Sequence, residues 1–231
     1  MNASIAATHA DREEIANTLT HGLGIVLAVI GAVVLLLAAQ ASAAPYAPIA
    51  CVVYGATMIV LYLASTLYHG AGIWHASGIA PLRPRLRAFD HIAIFLLIAG
   101  TYTPYVLIAL RGTWGWSLFA IVWSLAALGT LFELTSLRRF RGAMVALYLG
   151  MGWVGIVAIK QLFAALAAPG VWLVLAGGLA YSLGVIFYKM KSLRYHHAIW
   201  HLFVLAGSVL FYLSILLYVI PGVLPEIPGK T

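Results

Sequence analysis

Two histidines four residues apart, His197 and His201, open the last apolar run of the chain, with His196 just before them. At 3.6 residues per turn this spacing sets two imidazoles on one helix face, an arrangement that metal ligands use. A third imidazole, His69, closes an earlier apolar run; Ser65 lies one helical turn before it on the same face, and Asp90 opens the run that follows. Three neutral imidazoles on zinc leave a fourth tetrahedral position for water, whose pKa then falls to near 7. Asp90 is suited to orient or deprotonate that water, and Ser65 to donate a hydrogen bond to a developing oxyanion. A plainer reading stands beside this one: the histidines are amphipathic residues of an interface, and Asp90 pairs with Arg85 or Arg87.

For these residues to meet, helices must carry them to one depth. The chain has 231 residues, 64% hydrophobic and 8% charged, with mean hydropathy +1.02. Soluble domains carry about 25% charge, so the composition is that of an integral membrane protein. Runs long enough to cross a bilayer are predicted at Thr20–Ala39, Tyr46–Tyr68, Phe89–Leu110, Trp114–Leu134, Ala143–Phe163, Val171–Tyr188 and His197–Ile220. Pro and Gly punctuate the joints between them, and none of the joints holds a second domain. The fold class is therefore all-α, a seven-transmembrane helix bundle. Residues 1–19 are expected as a cytoplasmic segment, 20–220 as the membrane domain and 221–231 as a short outer tail.

Orientation follows from charge. Arg83, Arg85, Arg87, Arg138, Arg139, Arg141, Lys189, Lys191 and Arg194, nine of the 13 Lys and Arg, fall in the second, fourth and sixth loops, against Arg111 and Lys160 in the others. The positive-inside rule then puts the N-terminus in the cytoplasm and the C-terminus outside, opposite to G-protein-coupled receptors. The net charge of +7 reports this topology and not a nucleic-acid partner. All eight histidines fall on the cytoplasmic side of this arrangement. The first run follows Asp11, Glu13 and Glu14 where a signal peptide would have a basic stretch, so it reads as a retained helix. The single Cys51 makes no intrachain disulfide and reads as a buried thiol. Trp114 and Trp116 at the outer side and Trp74 at the inner read as interfacial anchors, and Gly150, Gly152, Gly155, Gly177 and Gly178 as sites of close helix packing.

One more polar series enters the first run: Glu13, Asn17 and His21, at successive spacings of four, form a slowly drifting stripe on a helix. It is a candidate outer shell for the site. The alternative is an ordinary solvated turn through Asp11, Arg12 and Glu14.

Taken in order, Glu13-x3-Asn17-x3-His21, Ser65-x3-His69, Asp90 and His197-x3-His201 resemble the three motifs of the progestin and adipoQ receptor family, in its bacterial hemolysin III branch. The resemblance extends over essentially the whole chain, because the number, order and orientation of the spans agree as well. It implies zinc near the cytoplasmic face, held by residues matching His69, His197 and His201, with the counterpart of Asp90 reaching the metal through water and that of Ser65 in the same site. It also implies a bacterial cytoplasmic (inner) membrane as the location. Related adiponectin receptors and alkaline ceramidases are associated with hydrolysis of ceramide-type amides. The short N-terminal tail, and Ala93 where a glycine often follows the motif's aspartate, depart from the eukaryotic receptors, so hormone recognition is not expected.

The leading expectation is a zinc-dependent hydrolase that takes a membrane lipid, amide or ester, as substrate by lateral entry. A second is a non-enzymatic sensor or regulator in which zinc is structural and its coordination closed. A third is a cytolytic protein, which would need a water-lined stripe and a soluble form that the spans do not suggest. A retinal photoreceptor is disfavoured because the seventh span has no lysine for a Schiff base.

Overall fold

A computed structural model describes residues 3–73 and 80–220 as a bundle of helices, with no strand among the described residues. The helices are α1 (Ala3–Gln40), α2 (Ala47–Ile73), α3 (Arg83–Pro104), α4 (Gly112–Leu134), α5 (Arg141–Trp153), α6 (Ile159–Ala165), α7 (Ala168–Lys189) and α8 (His196–Ser214). A tighter turn, Val154–Ala158, joins α5 to α6, and the two make one crossing, Arg141–Ala165. Seven helical segments are thus long and apolar enough to span a membrane. Their outer faces carry large apolar side chains, with Leu19, Leu37, Leu134 and Val157 all more than half exposed, as a lipid-facing surface requires.

Local chemistry sets the boundaries. Pro84 and Pro169 sit in the first turns of α3 and α7, where a missing N–H costs no hydrogen bond. Pro104 withdraws a donor inside the third span, and the backbone widens into a wide-pitched turn over Tyr105–Ala109. Arg111 and Gly112, with φ of 32° and 61°, reverse the chain into α4.

The first crossing differs from its expected limits. Instead of a tail followed by a helix at Thr20, one continuous helix runs through Asp11, Arg12, Glu13 and Glu14. Arg12, Glu13 and Glu14 are good helix formers, and the side chains of Glu13 and Glu14 find partners at the N-cap of α8 and at the start of α3, which holds the helix together here. The third span likewise begins at Arg83, ahead of Phe89. Trp74 and residues 221–231 lie outside the described residues.

α1 packs chiefly on α2 and then on α8, while α3 packs between α2 and α4. Buried side-chain bonds tie this region together: the Tyr62 hydroxyl donates to Ser208 Oγ at 2.8 Å, Tyr181 Oη lies 2.9 Å from the same oxygen, and Tyr54 donates to the Ser208 carbonyl at 3.3 Å. Away from water such bonds hold helices together where the hydrophobic effect gives little. Two glycines allow close approaches around this region. A Cβ on Gly24 of α1 would strike the Tyr62 ring, and one on Gly100 of α3 would strike Thr57. Among the glycines expected at helix contacts, Gly177 does meet Phe211 closely, but Gly150 and Gly152 face open space. They sit where α5 bounds a cavity or the outside, so there is no neighbouring helix to approach.

Candidate metal centre

α2 supplies His69, and α8 supplies His197 and His201 from consecutive turns. One nitrogen from each lies within 4.8 Å of the others, so the three can hold a metal ion. His69 and His201 are buried and His197 partly so. Ligand nitrogens of a tetrahedral zinc stand about 3.4 Å apart, a contraction that imidazole rotation supplies.

Partners on the far side of two rings decide which nitrogen is free. His69 Nδ1 is 2.6 Å from Glu14 Oε2, so the ring N–H donates to the carboxylate and the Nε2 lone pair is left over. That Nε2 is buried and has no hydrogen-bond partner. His201 Nδ1 lies 3.3 Å from the Asn17 carbonyl and 3.1 Å from Thr20 Oγ1; the carbonyl can only accept, which assigns the proton to Nδ1 and leaves Nε2 as donor to a metal. A buried polar atom left unpaired costs about 1–3 kcal/mol, and a cation among the three rings removes that cost. The donor set, all imidazole nitrogen with carboxylate and carbonyl behind it, fits zinc.

The stripe on α1 therefore lies against the site and is not a solvated turn. Glu13 Oε1 accepts from the Tyr195 N–H at 3.1 Å, fixing the start of α8, where Tyr195 takes a left-handed φ of 59°. Glu14 bridges His69 and Arg83, and the Asn17 amide lies 3.3 Å from His69 Nδ1. His21 stacks on His201 with centroids 3.5 Å apart and meets Tyr62 edge-on, yet both of its ring nitrogens are buried without partners and it is outside the triplet.

Ser65 and Asp90 are also brought here. Both are buried; Asp90 lies beside Ser65 and within electrostatic range of His69, although Ser65 Oγ has no partner at hydrogen-bond distance. Among the described residues Asp90 makes no ion pair with Arg85 or Arg87. The neighbouring histidines are turned elsewhere. His91 Nδ1 lies 3.3 Å from Glu133 Oε1, and the His196 ring is 6.1 Å from that of His197 and outside the triplet.

Sequence reasoning missed Glu14, Thr20, Arg83 and Glu133 as parts of this region. Glu14 had a signal: it lies three residues before Asn17, as close to the stripe on a helix as Glu13. Glu133 had one too, as an acid inside an apolar run.

His21, Ser65, Asp90, His197 and His201 line one cavity of about 520 Å³. It extends between α3, α4, α5, α6, α7 and α8 to Leu110, Leu118 and Leu162, and its far walls are mainly apolar. Its size and apolar walls suit an apolar guest, with the polar groups gathered toward the histidine and arginine end.

Comparison with known proteins gives the family. The profile of a family described as "Haemolysin-III related" matches residues 10–212, from the α1 stripe to the last helix. The chain is 46% identical to Hemolysin-3 of Bacillus cereus over 210 residues, 91% of this chain and 93% of that protein. It is 42% identical to the Hemolysin-3 homolog of Bacillus subtilis (strain 168) over 207 residues, 90% and 94% of the two. The Monocyte to macrophage differentiation factor of Homo sapiens is 28% identical over 207 residues, 89% of this chain and 84% of its own length. A match of this extent, over a seven-span bundle with its histidines gathered at one site, makes the chain a member of the haemolysin-III-related family.

Proposed function

We propose that the protein is a zinc-dependent membrane hydrolase that cleaves a lipid amide or ester, sited in the cytoplasmic membrane with its N-terminus and metal centre inward. One observation carries the reading: two members of the histidine triplet, His197 and His201, line the polar end of a long apolar cavity, with Asp90 and Ser65 lining that same end. A structural site needs no such cavity.

Bound zinc supplies Lewis acidity and a water acidified to near neutral pH. The chain's own residues do the rest. Asp90 takes a proton from the attacking water as its oxygen bonds the carbonyl carbon, and returns it to the departing amine or alcohol when the C–N or C–O bond breaks. Ser65, with its hydroxyl uncommitted, donates to the carbonyl oxygen as negative charge gathers there. Glu14 and the Asn17 carbonyl hold two rings in the tautomer that offers Nε2. The apolar walls align the chain and keep bulk water from the carbonyl.

The regulator reading also has an observation in its favour. A metal held by the triplet would clamp α2 to α8, and Glu13, Glu14 and Asn17 knit α1 to both around it. The two readings separate on reconstituted protein. Zinc-loaded wild type should release free fatty acid from vesicles of mixed amide- and ester-linked lipids, and Asp90→Ala should retain zinc while losing that release. Full zinc occupancy with no lipid turnover would reject the hydrolase and leave the clamp.

A further inference from the structure

We infer that the lipid taken by this cavity carries an anionic phosphate head group, as a glycerophospholipid does; the inference rests on the hydrolase reading and names its substrate class. Its basis is a convergence of charge that the positive-inside rule does not require. Arg87 from α3, Arg138 and Arg139 from the turn Ser136–Arg139, and Arg141 at the start of α5 all line the cavity that holds Asp90 and His197. The orientation rule needs basic residues in inner loops and is met equally by Lys189 and Lys191, which do not line it. Arg83, which does not line it either, is already neutralised by Glu14.

The four arginines have no such ion pair, although Arg87 lies within electrostatic range of Asp90. Among the described residues none of them has a carboxylate within ion-pairing distance, and Glu133, the nearby acid, is turned to His91. Arginine forks match phosphate oxygens bidentately, and each basic side chain near a membrane surface contributes about 1 kcal/mol toward anionic lipid. A neutral amide lipid would offer these cations no counter-charge, leaving Arg139 with only its stacking on Phe140.

The order of groups along the cavity agrees with one molecule. Arginines stand at the end where α3 begins and α4 ends, Ser65, Asp90 and the histidines come next, and Leu118 and Leu162 lie beyond. In a glycerophospholipid the phosphate, the acyl ester and the hydrocarbon follow in that order, with the ester a few bonds from the phosphate. Head group on arginine therefore brings the ester carbonyl to Ser65 and Asp90 and sends the chain into the apolar walls.

The test is native mass spectrometry of the full-length, detergent-purified protein after equilibration with equal amounts of phosphatidylglycerol and phosphatidylcholine of identical chains. Wild type should retain phosphatidylglycerol in about tenfold excess. Arg87→Gln/Arg138→Gln/Arg139→Gln/Arg141→Gln should bring the two near parity, and Lys189→Gln/Lys191→Gln should keep the excess. Parity in wild type, or an equal loss in the lysine variant, would overturn the inference by reducing it to charge at the surface. Displacement of the lipid by millimolar glycerol 3-phosphate would overturn it in favour of a free phosphate. His197→Ala separates the two levels: the excess should survive there, because the arginines bind without the metal. Retention of the anionic lipid with no hydrolysis by zinc-loaded wild type would fail the hydrolase reading alone, whereas hydrolysis of neutral lipid at parity would fail this inference alone.

Discussion

Helices α1, α2 and α8 meet through short polar bonds and close glycine contacts, whereas α5 and α6 stand against open space, and α4 and α7, packed on α3 and α8, only bound that space from either side. In the first group, side chains of Glu13, Glu14, Asn17 and Thr20 each reach a partner on another helix or the segment leading into it. In the second, the crossing made by α5 and α6 is only 17% buried over its most apolar 18 residues, against 72% for α3, which stands between the groups. On the function proposed above, the difference is one of task. A metal ligand set tolerates little displacement, so the elements that carry it are cross-braced by hydrogen bonds; a hydrocarbon chain is bound by shape and area, so the elements that surround it need only enclose it.

The largest effect should come from breaking the braced group at its centre. His197→Ala and His201→Ala are each expected to take purified protein from about one zinc per chain to nearly none, read by metal mass spectrometry on protein whose gel-filtration profile is unchanged. Val174→Phe, which fills the cavity from α7, should leave zinc content as in wild type and reduce lipid turnover instead. Loss of zinc in that variant would show that the two groups are not separable.

Glu14→Gln comes next in size. It keeps the shape but removes the charge that holds the His69 proton on Nδ1, so zinc affinity should fall about 10- to 100-fold in competition with a chelator, or about 1.4–2.7 kcal/mol. Glu14→Asp should recover part of the loss. An unchanged affinity in the Gln variant would mean that Glu14 serves only its bond to Arg83.

What the sequence made legible was whatever has a period or a fixed spacing. Seven apolar runs, the i, i+4 pairs Ser65/His69 and His197/His201, and the drift of Glu13, Asn17 and His21 are all local patterns, and each lies where helical geometry puts it. What stayed hidden depends on contacts between distant segments. Charged residues just ahead of an apolar run look like a solvated turn until a partner is found for them; Glu14 has His69 and Arg83, 55 and 69 residues away. Choosing between His196 and His197 required the rotation of α8 in the bundle. Glycine alone does not distinguish a helix contact from a cavity wall, because its small size serves either, and Gly152 and Gly177 fell on opposite sides of that distinction.

That last ambiguity yields the smallest effect and the most direct comparison of the two regions. Gly24→Ala forces a methyl group into the Tyr62 ring, which touches His21 and bonds to Ser208, and neither neighbour gives it room to turn. Overpacking of this kind costs about 1–3 kcal/mol, read as a lower thermal midpoint in detergent. Gly152→Ala adds the same methyl group at the cavity wall, where no atom lies within 4 Å, and alanine is the better helix former by about 0.5–1 kcal/mol, so the midpoint should hold or rise. A drop as large as that of Gly24→Ala would mean that α5 closes onto a neighbouring helix in the membrane. The open half of the bundle would then be braced like the other, and the cavity would exist only when something fills it.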